Sequence, residues 1–124
     1  MHLIIGGKYM GKLRYAKTLY GEDVCDLAAS EPEEMFGARV VANLQDGVRN
    51  LLKRGESPRG FFESNLHLME DKVLIGDEIG GGIVPVDPFE SLWRDETGFV
   101  YGILAARADR VDRVWAGLPC RLKG

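Results

Sequence analysis

Apolar runs and stretches of helical spacing alternate along this chain, and the alternation predicts an α/β order of elements. His2 to Ile5 is short and apolar with β-branched residues at its end, while Leu13, Ala16 and Tyr20 recur at a helical interval, so the chain opens as strand, loop and helix. Within Gly21 to Glu33 the brief apolar stretch Val24 to Ala29 precedes Pro32, which predicts a short strand followed by a loop or helix start. Arg39 to Asn43 reads as a strand running into a helix from Gln45 to Lys53. Phe36, Val40, Leu44 and Val48 also fit one long helix, and the strand is the preferred reading. Gly55, Ser57 and Pro58 break the chain, Phe61 to Met69 predicts another helix, and Lys72 to Ile75 is the clearest buried strand. Helical spacing returns at Phe89, Leu92, Trp93, Val100, Ile103 and Leu104, and Arg113 to Ala116 closes the pattern with a further strand. The expected fold class is α/β with a mainly parallel central sheet.

Composition narrows this picture. A chain of 124 residues with 45% hydrophobic content suffices for one core, so a single domain over residues 1–124 is expected, with no room for a second catalytic domain. The net charge of −3, with acids and bases interspersed, argues against generic nucleic-acid binding and makes any anion site a local one. Cys25 and Cys120 are too few for a disulfide framework and lack the clustering of a zinc site, which fits a reduced cytoplasmic protein. No apolar run approaches the length of a membrane span, and the N-terminal stretch meets glycines too early to resemble a secretory signal.

The candidate chemistry begins where the first strand ends. Gly6, Gly11 and Lys12 meet the spacing G-x-x-x-x-G-K, in which backbone N–H groups turn inward around phosphate oxygens and the lysine adds charge at a helix N-terminus. The nucleotide-binding candidates are therefore Gly6, Gly7, Lys8, Tyr9, Met10, Gly11, Lys12 and Leu13, with Lys12 also a catalytic candidate. Leu13 stands where a Ser or Thr normally offers its hydroxyl to magnesium, and it cannot ligate a metal. The alternative is a glycine-rich strand-to-helix turn with no ligand. The strand at Lys72 to Ile75 then delivers Gly76, Asp77 and Glu78 to its carboxyl end, where ligands of parallel sheets gather. Asp77 is the candidate magnesium ligand, and Glu78 the catalytic candidate that orients or deprotonates an attacking hydroxyl. A solvated acidic turn is the competing account.

Plainer readings apply elsewhere. Trp115 is expected in the core, Trp93 in the core or on a ligand, Arg94 in a surface ion pair or on phosphate, and Lys8 and Arg14 in solvent. Arg49 to Arg54 reads as the solvated face of a helix, and His67 as a surface or boundary histidine.

The stretch Asp77-Glu78-Ile79-Gly80-Gly81-Gly82-Ile83-Val84-Pro85 resembles the E-(V/I)-G-x-G-I-V-P block of the adenosylcobinamide kinase/adenosylcobinamide-phosphate guanylyltransferases of cobalamin biosynthesis. The resemblance continues through Trp93-Arg94-Asp95 with Gly98, Ala105 to Val111, and Gly117 to Leu122-Lys123. Ile4 to Gly7 with Gly11-Lys12 is similar to the family's opening G-G-x-x-S-G-K-S, and Glu33-Glu34-Met35 to its D-E-E-M segment. It implies a P-loop NTPase-like three-layer fold, ATP or GTP as substrate, Mg2+, phosphorylation of the cobinamide hydroxyl, a corrinoid (adenosylcobinamide) partner and a homo-oligomer. It also implies a substrate loop, onto which Gly80, Gly82, Pro85 and Arg94 map. Departures are equally specific. Met10 and Leu13 replace loop serines, Tyr101-Gly102 replaces an Asn-Gln pair, and Asp77 stands where many members have Asn. The histidine that becomes guanylylated in the family lies soon after D-E-E-M, but no histidine follows Met35 until His67, in a chain shortened by an internal stretch. Guanylyl transfer is thus expected to be lost. Three roles follow: a reduced cobinamide kinase, a catalytically weakened nucleotide- or corrinoid-binding accessory protein, or a structural oligomer subunit with a vestigial loop.

Overall fold

Parallel strands buried on both faces need apolar side chains on alternate sides, and the chain supplies them in four short runs. In the computed structural model, which describes residues 1–79 and 87–124, six strands form one sheet in the order β2-β3-β4-β1-β5-β6. They are β1 (His2–Gly6), β2 (Val24–Asp26), β3 (Val40–Ala42), β4 (Val73–Asp77), β5 (Arg110–Trp115) and β6 (Leu118–Lys123). β1 to β5 run parallel, and β6 returns antiparallel along β5. The helices are α1 (Lys12–Tyr20), α2 (Leu44–Lys53), α3 (Pro58–Asn65) and α4 (Pro88–Arg107), with short 3-10 helices at Pro32–Gly37 and Leu66–Leu68.

The pleat sorts the core into two layers. Ile4, Val40, Val73, Ile75 and Val114 pack with Ala16 beneath α1, whereas Leu3, Val41, Leu74 and Val111 face Leu44, Val48, Leu51, Phe62, Val100 and Leu104 of α2 to α4. The result is a three-layer α/β fold of the P-loop NTPase-like kind, with α1 alone on one face. The strand order matters for function, because β1 sits between β4 and β5 while its own crossover leads away to β2. That topological switch leaves a crevice beyond the carboxyl end of β1. Gly6 of β1 lies in register with Asp77 of β4, so the two candidate motifs emerge side by side.

Three expectations need correction. The third helix begins at Pro58 and ends at Asn65, earlier than the predicted Phe61 to Met69, because Ser57 caps it by accepting the Gly60 N–H at 3.1 Å and Pro58 fits its first turn. β6 is additional, joined to β5 through Ala116 and Gly117, both at positive φ (49° and 77°), as in the tight hairpin turns that match strand twist. Trp115, expected in the core, is instead 64% exposed as the last residue of β5, beside the turn into the exposed strand β6. Arg39 to Asn43 divides as preferred, into β3 and the start of α2. Among the described residues, no helix is long and apolar enough to cross a membrane.

Candidate functional site

The turn between β1 and α1 is a closed loop whose backbone must reverse within five residues. It does so through Tyr9 at φ 62° and Gly11 at φ 92°, the second a conformation that glycine adopts without a side-chain penalty. Met10 braces the loop from outside. Its carbonyl accepts the Gly117 N–H at 2.9 Å and its Sδ the Ala116 N–H at 3.2 Å, which ties the loop to the β5–β6 turn. Lys12, the first residue of α1, turns back into the loop and is only 7% exposed. Its Nζ donates to the Gly7 carbonyl at 2.7 Å and lies 2.8 Å from Asp77 Oδ1. Lys8 and Arg14 are exposed, as expected, and Tyr9 projects into solvent.

Asp77 is held by its backbone as firmly as by its side chain. Its N–H donates to Gln45 Oε1 at 2.9 Å, and its carbonyl accepts the Tyr101 hydroxyl at 2.7 Å. Burial, then the carboxylates of Asp77, Asp46 and Glu78, pushes the Tyr101 phenol well above its usual range, so it stays a donor. Gly76 makes room for it, since a β-carbon there would fall 2.2 Å from the Tyr101 oxygen. Gln45 is fixed in turn, its carbonyl accepting the Trp93 indole N–H at 2.7 Å. Arg49 stacks 4.1 Å above the Trp93 ring and grips Glu90 with two bonds of 2.7 and 2.9 Å. The start of α2, through Gln45, and the second half of α4, through Tyr101, thus lock the end of β4, and Arg49 is a bracing residue rather than part of a solvated face.

Glu78 follows with its N–H on the Gly6 carbonyl at 2.8 Å, while its carboxylate takes bonds of 2.6 and 3.1 Å from Arg113. Leu13 is partly exposed where a hydroxyl would point towards metal. Above Lys12 lies a cleft of about 660 Å³, lined by the loop from Lys8 to Arg14 and by Asn43, Asp46, Asp77, Glu78 and Trp93. Asp46 brings a second carboxylate to this cleft. Burial and, next, the charge of Asp77 raise its pKa above the usual aspartate value. A neighbouring cleft of about 540 Å³ holds Arg94 with Gly7, Glu78 and Tyr101. Arg94 therefore shares Glu78 with the first cleft but does not line it, and Glu96 pairs with Arg59 at 2.8 Å instead of with Arg94. Gly80, Gly82 and Pro85 lie outside the described residues.

The histidines stand apart from this chemistry. His67 is exposed on the 3-10 turn after α3, as expected. His2 is buried, 2.7 Å from Asp112 Oδ2 and 2.8 Å from the Tyr20 hydroxyl. It sits at the amino end of β1, opposite to the phosphate loop. Among the described residues no histidine lines the cleft.

The loop, Lys12, Leu13, Asp77 and Glu78, singled out in sequence, come together at one cleft, and the fold adds Gln45, Asp46, Tyr101 and Arg113, which no motif marks. Tyr101 registers in sequence only as the loss of a polar pair, yet its hydroxyl supplies the bond that sets Asp77.

Comparison with known proteins bears on the same residues. A family model for cobinamide kinase / cobinamide phosphate guanyltransferase matches residues 56–122, more than half of the chain, running from the start of α3 almost to the end of β6. The phosphate loop lies outside the matched stretch, while Asp77, Glu78 and Tyr101 lie within it. The chain is also similar to the bifunctional adenosylcobalamin biosynthesis protein CobP of Pseudomonas aeruginosa, with 38% identity over 52 residues. That alignment covers 42% of this chain and 30% of the relative, so the chain spans less than a third of that protein's length.

Proposed function

Because this chain belongs to the cobinamide kinase / cobinamide phosphate guanyltransferase family, we propose that it binds a nucleoside triphosphate at Gly6 to Leu13 and phosphorylates the side-chain hydroxyl of adenosylcobinamide, without guanylyl transfer. The observation that carries this reading is the placement of the buried Lys12 ammonium 2.8 Å from Asp77, on the wall of an open cleft beyond the carboxyl ends of β1 and β4.

Each residue then has a chemical task. The backbone N–H groups from Gly7 to Lys12 would bind the phosphates, and Lys12 would offset charge on the oxygens of the transferred group. The acceptor oxygen attacks Pγ, the bond from Pγ to the bridging oxygen breaks, and the nucleoside diphosphate leaves with that electron pair. Arg113 engages both oxygens of Glu78. This supports Glu78 as the group that orients the acceptor hydroxyl, whose proton passes to solvent, in a loose transition state that asks little of a base. Arg94, which lines the adjoining cleft, would pair with the phosphate once it has passed to the corrinoid.

Magnesium is the ion the resemblance implies. The donor set fits one that arrives with the phosphates: Asp77 offers a carboxylate at the loop, Leu13 offers nothing, and no cluster of three or more His, Cys, Asp or Glu side chains occurs among the described residues. Asp77 would hold it, and it would neutralise charge on the β- and γ-oxygens. The reading that the second activity is lost rests on the sequence, which places no histidine between Met35 and His67, and on a cleft lined by no histidine among the described residues.

The test is parallel incubation of adenosylcobinamide with ATP or GTP labelled at the γ-phosphate, and with GTP labelled at the α-phosphate. Label should pass to the corrinoid from the γ-position alone. Transfer from the α-position would restore guanylyl chemistry, and binding without either transfer would favour the accessory-protein reading.

A further inference from the structure

Lys12 has its close partners inside the protein. One proton of its ammonium is on the Gly7 carbonyl at 2.7 Å, and Asp77 Oδ1 lies at 2.8 Å. The backbone of Asp77 is fixed, because its N–H donates to Gln45 and its carbonyl accepts from Tyr101, so separating the pair requires rotation of the Asp77 side chain. With Leu13 in place of a hydroxyl, the loop offers no neutral oxygen ligand from that position beside Asp77. A polyphosphate entering the cleft would meet a lysine already neutralised and a carboxylate that repels it, with Asp46 adding a second negative charge.

We propose that Asp77 is an internal counterion that competes with polyphosphate for Lys12, and that a divalent cation on Asp77 releases the lysine, so that cation and polyphosphate binding are coupled. This rests on the reading of Gly6 to Leu13 as a phosphate site. The coupling is reciprocal by linkage: whatever factor the cation adds to polyphosphate affinity, polyphosphate adds to cation affinity. Asp77 thereby has a role in the empty protein as well as in the loaded one. It satisfies the buried ammonium until a ligand replaces it, which an asparagine at this position would do less well.

Calorimetric titration with inorganic tripolyphosphate, with and without magnesium, tests the idea on wild type, Asp77→Asn, Asp46→Asn and Lys12→Ala. Without magnesium, Asp77→Asn should bind roughly tenfold tighter than wild type or more, the scale of a close charge pair, and Asp46→Asn should gain less than about threefold. Magnesium should then help wild type more than Asp77→Asn, and complexation in solution cancels because it is common to both proteins. Asp77→Ser serves in the same comparison if Asp77→Asn does not fold. Lys12-dependent binding by wild type with no gain in Asp77→Asn would overturn the counterion role while leaving the phosphate loop standing. Equal gains from Asp77→Asn and Asp46→Asn would also overturn it, by reducing the effect to the charge of the cleft. Lys12-independent binding, or none in any variant, would remove both readings.

Discussion

Gly76→Ala tests how tightly the end of β4 is built. The new β-carbon would lie 2.2 Å from the Tyr101 hydroxyl oxygen, 2.6 Å from Cζ and 2.9 Å from Cε1. Relief requires the ring to retreat by roughly 1 Å, which is overpacking of the kind that costs about 1–3 kcal/mol. The retreat stretches the 2.7 Å bond to the Asp77 carbonyl out of hydrogen-bond range, and an unpaired part-buried carbonyl costs about 1–3 kcal/mol more. The expected loss is therefore about 2–6 kcal/mol, a large share of the ~5–15 kcal/mol of an ordinary domain. Urea denaturation followed by tryptophan fluorescence measures it. A double-mutant cycle makes the argument specific. Tyr101→Ala alone should cost about 3 kcal/mol, yet Gly76→Ala with Tyr101→Ala should cost no more than that, a coupling of at least about 2 kcal/mol. A loss below about 1 kcal/mol for Gly76→Ala, or additive single and double variants, would refute the contact.

Two further predictions concern stability. Burial lowers the His2 pKa below 6.5, more than Asp112 raises it, so the unfolded chain binds the proton first and stability should fall as pH drops from about 6.5 towards the folded value. His2→Gln should flatten that part of the stability curve, and an unchanged slope would contradict the assignment. Ala116 sits at φ 49° in the β5–β6 turn, so Ala116→Asn should raise stability by about 1 kcal/mol in thermal melts, whereas a lower melting temperature would speak against left-handed strain there.

Local signals carried most of the fold. The β1–loop–α1 opening was legible because three consecutive elements announce themselves within twenty residues through apolar clustering, glycine spacing and helical period. Ser57 and Pro58 registered in sequence only as a break, although a capping serine and a proline at the first turn are also a helix start. β6 escaped because Leu118 to Lys123 is exposed on both faces and interrupted by Pro119, leaving no burial pattern to see. Its pairing with β5 and the Ala116–Gly117 turn hold it in place. The silent part of the site is the part built by distance. Asp77 bonds to Gln45, 32 residues earlier, and to Tyr101, 24 residues later, and Glu78 to Arg113, 35 residues later. None of these side chains belongs to a motif, and only the folded sheet brings them together.

The most direct test of the proposed function is calorimetric binding of ATP and GTP to the purified protein, with and without magnesium, against Lys12→Ala. The account predicts magnesium-enhanced binding that weakens by roughly 1.5–3 kcal/mol when the Lys12 ammonium is removed. Equal affinity in wild type and Lys12→Ala, or no binding at millimolar nucleotide, would contradict it and leave the loop between β1 and α1 a structural turn.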